Sequence, residues 1–178
     1  MKKREEIGVM MTSKGYMLAA EVGVQKGEFA RKMLSSWNGH LVLVDSWRSF
    51  NQEEYEDVAN VSDEEHFKNY QECLDNLREF EGRFTTCRAL SPEVSTLFKN
   101  DLFDLVYIDA NHSYEGCLRD ISHWNRKVRS GGCICGHDYM DGVFWGGTFG
   151  VKKAVLEFFG REPDIVTDES EPSWFFFK

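Results

Sequence analysis

The sequence predicts an α/β fold: a mostly parallel sheet with helices on both faces and the last strand antiparallel. Three observations carry this. Apolar strand-like runs alternate with helical patterns about five times, the rhythm of βαβ units. One of the runs, LVLVD (41–45), is continuously apolar up to its last residue, as a strand buried on both faces is. The last two runs, 164–166 and 173–177, are joined by a turn too short for a parallel crossover, so they pair antiparallel.

Taken in order, residues 1–14 read as a short helical lead-in without a catalytic pattern. The first strand lies in MLAAEV (17–22) and runs into a turn with glycines at Gly23 and Gly27. From Glu28 the residues Phe29, Ala30, Met33, Leu34 and Trp37 recur at helical spacing. A strand, glycine turn and helix let the backbone approach a nucleotide-like ligand, with the helix beginning beside it. The three-glycine spacing of a dinucleotide fingerprint is missing. Asn38-Gly39 ends the helix, and the second strand closes on Asp45.

Residues 46–62 have no clear period and much charge, which fits a lid loop or a solvated insertion. A helix from Asp63 carries the stripe Phe67, Tyr70, Leu74, Leu77 and Phe80, and Gly82 ends it. Phe84–Cys87 forms a short third strand, after which Ser91 caps a helix with Pro92 at its first position. The fourth strand ends at Asp109. A helix follows with Cys117, Leu118, Ile121, Trp124 and Val128 inward, closed by Ser130-Gly131-Gly132. Cys133-Ile134-Cys135 is a brief strand running into Gly136-His137-Asp138-Tyr139. Gly142–Gly150 reads as a glycine-rich aromatic loop ahead of a helix bearing Val151, Val155, Phe158 and Phe159.

At 178 residues, 42% of them hydrophobic, residues 1–178 are expected to fold as one domain with a sizeable core. The net charge of −9 disfavours a broad phosphate-binding surface, so nucleic acid is not the expected partner. Five cysteines, together with the charged start Lys2–Glu5 and no apolar signal region behind it, point to a cytoplasmic protein with reduced thiols. No apolar run approaches membrane-spanning length.

The informative regularity is positional. Glu21, Asp45, Asp109 and Asp138 each stand at the carboxyl end of a separate strand, where open α/β sheets bind ligands. A single such acid usually caps the next helix. Four on neighbouring strands repel one another unless they hold cations or hydroxyls. Asp45 lies 24 positions after Glu21, close to the interval at which an acid reaches ribose hydroxyls. A ribose, no pyrophosphate and a cationic group together describe S-adenosylmethionine.

The motifs AEVGVQKG, LVLVDSW, LVYIDANHSYE, GGCICGHDY, FGVKKAVLEFF and SWFFF make the chain resemble the class I S-adenosylmethionine-dependent methyltransferases, with a Rossmann-like sheet. Within them it is similar to the group of macrocin-type O-methyltransferases and the related cephalosporin hydroxylases. The resemblance implies that Glu21, Gly23 and Gly27 line the methionine part of the cofactor, that Asp45 holds the ribose, and that Leu90 and Ser91 sit by the adenine. It further implies a divalent, magnesium-like ion on Asp109 and Asp138, with His137 at a position where relatives often have a carboxylate. Magnesium prefers oxygen ligands, and a histidine widens the choice to manganese, iron or zinc.

Some relatives have an acid at the position of Asn111, where a base has been proposed; asparagine cannot take that proton. His112 has suitable chemistry for a general base, and its alternative is a helix-start residue bonded to backbone. Cys133, Cys135 and His137 share strand spacing with a zinc site but lack a second ligand pair, so buried core cysteines are expected. Trp47, Tyr139, Phe144, Trp145 and Phe149 either line an acceptor pocket or pack in the core. The expected function is metal-assisted O-methyl transfer to a small hydroxylated acceptor, with a homo-oligomer compatible. An oxygenase like the cephalosporin hydroxylases and a non-catalytic cofactor-binding protein are the alternatives.

Overall fold

Strand residues point alternately into two apolar layers, and that alternation decides which residues reach the sheet's carboxyl edge. The computed structural model describes residues 1–51, 57–144 and 147–178. These form β1 (Leu18–Val22), β2 (His40–Asp45), β3 (Phe84–Arg88), β4 (Phe103–Ile108), β5 (Val128–Gly136), β6 (Asp141–Phe144), β7 (Gly147–Gly150), β8 (Ile165–Val166) and β9 (Trp174–Phe177). The α-helices are α1 (Ile7–Ser13), α2 (Glu28–Ser36), α3 (Asp63–Asn76), α4 (Ser91–Ser95), α5 (Tyr114–Trp124) and α6 (Val151–Phe159).

The main sheet runs β3-β2-β1-β4-β5-β9-β8. Strands β1 to β5 pair in parallel, and β9 lies antiparallel to both β5 and β8, as the short final turn predicts. On one face Ala19, Leu41, Leu43, Leu105, Tyr107, Cys133 and Cys135 meet α1, α2 and α3. On the other, Val22, Val42, Val44, Val106, Ile108 and Ile134 meet α4, α5 and α6. Burial on both faces is what favours continuous Val, Leu and Ile over an alternating pattern.

Strand order reverses between β1 and β4, which are neighbours despite the two βα units between them. Crevices beyond such a switch point are where doubly wound sheets bind ligands. Glu21 lies in β1, Asp45 ends β2, Asp109 follows β4 and Asp138 follows β5 by two residues. All four acids thus fall at the carboxyl edge, around the switch point.

Several local expectations differ from the structure. In α3 the buried residues are Asn69 and Cys73, continued by Leu77 past the helix end, while Phe67 and Leu74 are exposed. The reason is close approach: a Cβ on Gly27 would sit 2.8 Å from Cys73 Sγ, leaving no room there for a larger side chain. Ser91 occupies the first turn of α4 without capping it, and Leu90 is the N-cap residue. The 142–150 stretch is not a loop in its described part, since β6 and β7 form an antiparallel hairpin. Finally, α5 stops at Trp124 and Ser130-Gly131-Gly132 belong to β5, whose pairing with β4 is irregular between Phe103 and Leu105.

Candidate functional site

The turn after β1 is built by close contact. Gly23, with φ +89°, carries no Cβ because one would lie 1.8 Å from the Asp109 carbonyl oxygen, so the ends of β1 and β4 touch here. Gly27, with φ +73°, packs on α3 in the same way and N-caps α2 in the left-handed conformation. The two glycines therefore bring protein elements together at the switch point. Asp45 braces the turn: Val24 N and Gln25 N each donate to Oδ2 at 2.9 Å, and Trp47 N donates to Oδ1 at 2.8 Å. Trp47 completes the brace by donating from Nε1 to the Gln25 carbonyl at 2.8 Å.

Three non-glycine residues with positive φ, Gln25, Trp47 and Asp138, occupy the loops after β1, β2 and β5. Such backbone costs roughly 1–3 kcal/mol per residue and persists where surrounding contacts over-determine it, most often at functional sites. The Asp45 bonds supply that over-determination for Gln25 and Trp47.

Glu21 is only 2% exposed, and its Oε2 accepts no hydrogen bond. Burial first, then the charges of Asp109 and Asp45, push its carboxyl well above the usual range, against the opposing charge of Arg4. A buried acid in this state gains most from a cation brought to it.

On the β4–β5 side one ligand atom each from Asp109, His137 and Asp138 lies within 4.8 Å of the others. His137 Nδ1 is 3.1 Å from Asp138 Oδ2 and 3.7 Å from Asp109 Oδ1. His112 joins them: its Nε2 is 3.1 Å from Asp138 Oδ2 and 3.6 Å from Asp109 Oδ1. Its Nδ1 faces Asp57 Oδ2 at 2.8 Å, and its ring stacks on Phe149 at 4.6 Å. Burial pulls the His112 pKa down, but the bonds to Asp109, Asp138 and Asp57 prevail and raise it to about 12. His112, the base expected from sequence, is thus held among three carboxylates that favour its charged form. The same contacts act on the acids. Burial raises both, while His112 and His137 pull Asp109 and Asp138 below their ordinary values.

The structure sorts the remaining candidates. The Ser91 hydroxyl donates to Asp120 Oδ1 at 2.7 Å and accepts from Trp124 Nε1 at 2.8 Å, so its side chain is engaged beneath the sheet edge. Asn111 Oδ1 accepts from Ser113 N at 2.9 Å, a turn that leads into α5. Cys133 and Cys135 lie in the core, apart from the Asp109–His137–Asp138 group, and all five cysteines are free. Trp47 is fully buried under the glycine turn. Tyr139, also buried, donates to Glu162 Oε2 at 2.8 Å, while Phe144 packs edge-on against Phe149. Trp145 and part of the 46–62 stretch lie outside the described residues.

Two site residues have no local signal in the sequence. Asp57 falls in the aperiodic 46–62 stretch, yet its carboxylate is buried against His112. Arg4 falls in the lead-in, yet its Nη1 comes within 3.4 Å of Asp109 Oδ2. Neither position has a periodicity or motif that marks it. No helix among the described residues is long and apolar enough to cross a membrane.

Residues 20–139 match the family model described as a methyltransferase domain, about two thirds of the chain and all four carboxyl-edge acids. No curated protein sequence matches the chain. Among solved structures, the N-methyltransferase NodS from Bradyrhizobium japonicum WM9 is similar over 97% of this chain and 93% of its own, with TM-score 0.67 and 11% identity. Cofactor-bound Rv0187 from MTB matches over 97% and 78%, with TM-score 0.67 and 15% identity. A candidate O-methyltransferase from Klebsiella pneumoniae matches over 98% and 79%, with TM-score 0.68 and 15% identity. At these identities the likeness is one of fold.

Proposed function

The chain belongs to the methyltransferase-domain family, and from that premise we propose that it methylates a hydroxyl of a small molecule, using S-adenosylmethionine and a divalent cation. The observation that carries this reading is the donor group Asp109, His137 and Asp138, set directly beside the switch point where Gly23 meets Asp109.

The residues fit the methyl donor. Glu21, buried with an oxygen that accepts no bond, suits an α-ammonium group, and the nearby Asp109 carboxylate adds to the negative field there. Asp45 fixes the turn that carries Gly23 and Gly27, and the lone pairs left on Oδ1 suit a ribose hydroxyl. Leu90 offers apolar contact for the adenine and Ser91 its backbone, since the Ser91 hydroxyl is already engaged. The donor supplies an electrophilic methyl group; holding that methyl and the acceptor oxygen in line is the protein's contribution to the rate.

The donor set also fits a cation, with a preference. Magnesium demands oxygen ligands and keeps several waters, whereas an imidazole nitrogen at His137 favours manganese or another transition metal. Held there, such an ion would lower the pKa of an acceptor hydroxyl and orient its oxygen, and the hydroxyl's proton would pass to water as the methyl leaves sulfur for oxygen. Asp57 and Phe149 hold His112 beside the same point, with Nε2 3.1 Å from Asp138 Oδ2 and 3.6 Å from Asp109 Oδ1.

Calorimetric titration with Mn2+ and Mg2+ tests the site. Manganese is expected to bind more tightly than magnesium, and Asp138→Asn to weaken both by roughly tenfold or more. Unchanged affinity in that variant removes the assignment. Methyl transfer to a panel of hydroxylated acceptors tests the reaction, and transfer that persists in excess chelator rules out the cation.

A further inference from the structure

The lead-in delivers a charge to the switch point that the acidic rim does not itself contain. Asp168 N donates to the Lys2 carbonyl at 2.9 Å, and Arg4 N donates to Glu169 Oε2 at 2.8 Å, so the β8–β9 turn clasps residues 2–4. On the other side Glu5 pairs with Lys32 on α2. Held between them, the Arg4 guanidinium lies over the Phe29 ring at 4.9 Å and reaches Asp109 at 3.4 Å. Its charge is also felt by Glu21 and Tyr107.

The long contact to Asp109 is single-point and partly exposed, and ion pairs of that kind add little to stability. Guanidinium has five donors arranged for planar, two-point recognition of a carboxylate, and Asp109 and Tyr107 do not use them all. An amino-acid head group carries an ammonium and a carboxylate on one carbon. Glu21 and Asp109 suit the first and would repel the second. The second needs a cation at the same place.

We propose that Arg4 binds the α-carboxylate of the methyl donor's amino-acid part, beside the Glu21 and Asp109 carboxylates that take its ammonium. This rests on the cofactor reading above. The lead-in thereby belongs to the cofactor site, and its clasp by Glu169 sets where the head group stops.

Two nucleosides separate the head group from the rest: S-adenosylhomocysteine, which has the amino-acid part, and 5′-methylthioadenosine, which lacks it. Calorimetry with the full chain, Arg4→Gln and Arg4→Lys is the experiment, with thermal melts to verify folding. Arg4→Gln is expected to weaken S-adenosylhomocysteine roughly tenfold or more and to leave methylthioadenosine unchanged, with Arg4→Lys recovering part of the loss. Equal losses for both nucleosides, or none for either, overturn the proposal. If the unsubstituted chain binds neither nucleoside, the cofactor reading itself fails, and that outcome is distinct from a failure of Arg4 alone.

Discussion

Asp57 and His112 are 55 positions apart in the chain, and their side chains meet at 2.8 Å, Oδ2 to Nδ1. The contact closes the stretch after β2 onto the loop after β4. It also completes a ring of three carboxylates around His112, whose charges raise its pKa.

Replacing Asp57 with asparagine removes one of those carboxylates from beside the buried ring. A loss of about 1–3 kcal/mol in urea denaturation is expected at pH 7. Unchanged stability would return the 46–62 stretch to the status of a solvated insertion.

Glu21 should trade stability against binding. Its carboxyl is raised by burial and by Asp109 and Asp45, so the folded state loses stability as pH rises and the group ionises. Glu21→Gln keeps the shape and removes the charge. The variant is expected to melt higher than the parent at pH 8 and to bind S-adenosylhomocysteine about tenfold more weakly. A variant that melts lower and binds equally well contradicts both roles.

Asp120 gives a pH test away from the site. Buried on α5, its carboxyl is pushed up to about 6 by burial, against the Ser91 hydrogen bond. A folded pKa above the unfolded one means the stability is complete below the ordinary aspartate range and declines as pH rises through about 6. At roughly 1.36 kcal/mol per unit the decline amounts to about 3 kcal/mol. Asp120→Asn is expected to exceed the parent's stability at pH 8 by up to that amount, with the gap closing near pH 4. A difference that does not change with pH would be inconsistent with a buried carboxylate at this position.

Much of the architecture is legible in the chain because it is local and periodic. The apolar runs at 41–45 and 105–110 became β2 and β4, the stripe Phe29, Ala30, Met33 and Leu34 became the inner face of α2, and the short last turn made β9 antiparallel. Once strands are placed, their carboxyl ends follow, and with them Glu21, Asp45, Asp109 and Asp138. Periodicity says which residues face inward, but not what they meet. That Cys73 rather than Phe67 faces the core depends on how closely α3 approaches Gly27. That Asp45 holds backbone amides, that Asp57 meets His112, and that Arg4 reaches Asp109 across 105 positions all depend on contacts between distant segments. Local pattern along the chain was enough to give a mostly parallel sheet with an acidic carboxyl edge. Which charges stand opposite those acids emerges on folding, because a charge acts through distance in space, and the spacing of residues along a chain does not record it.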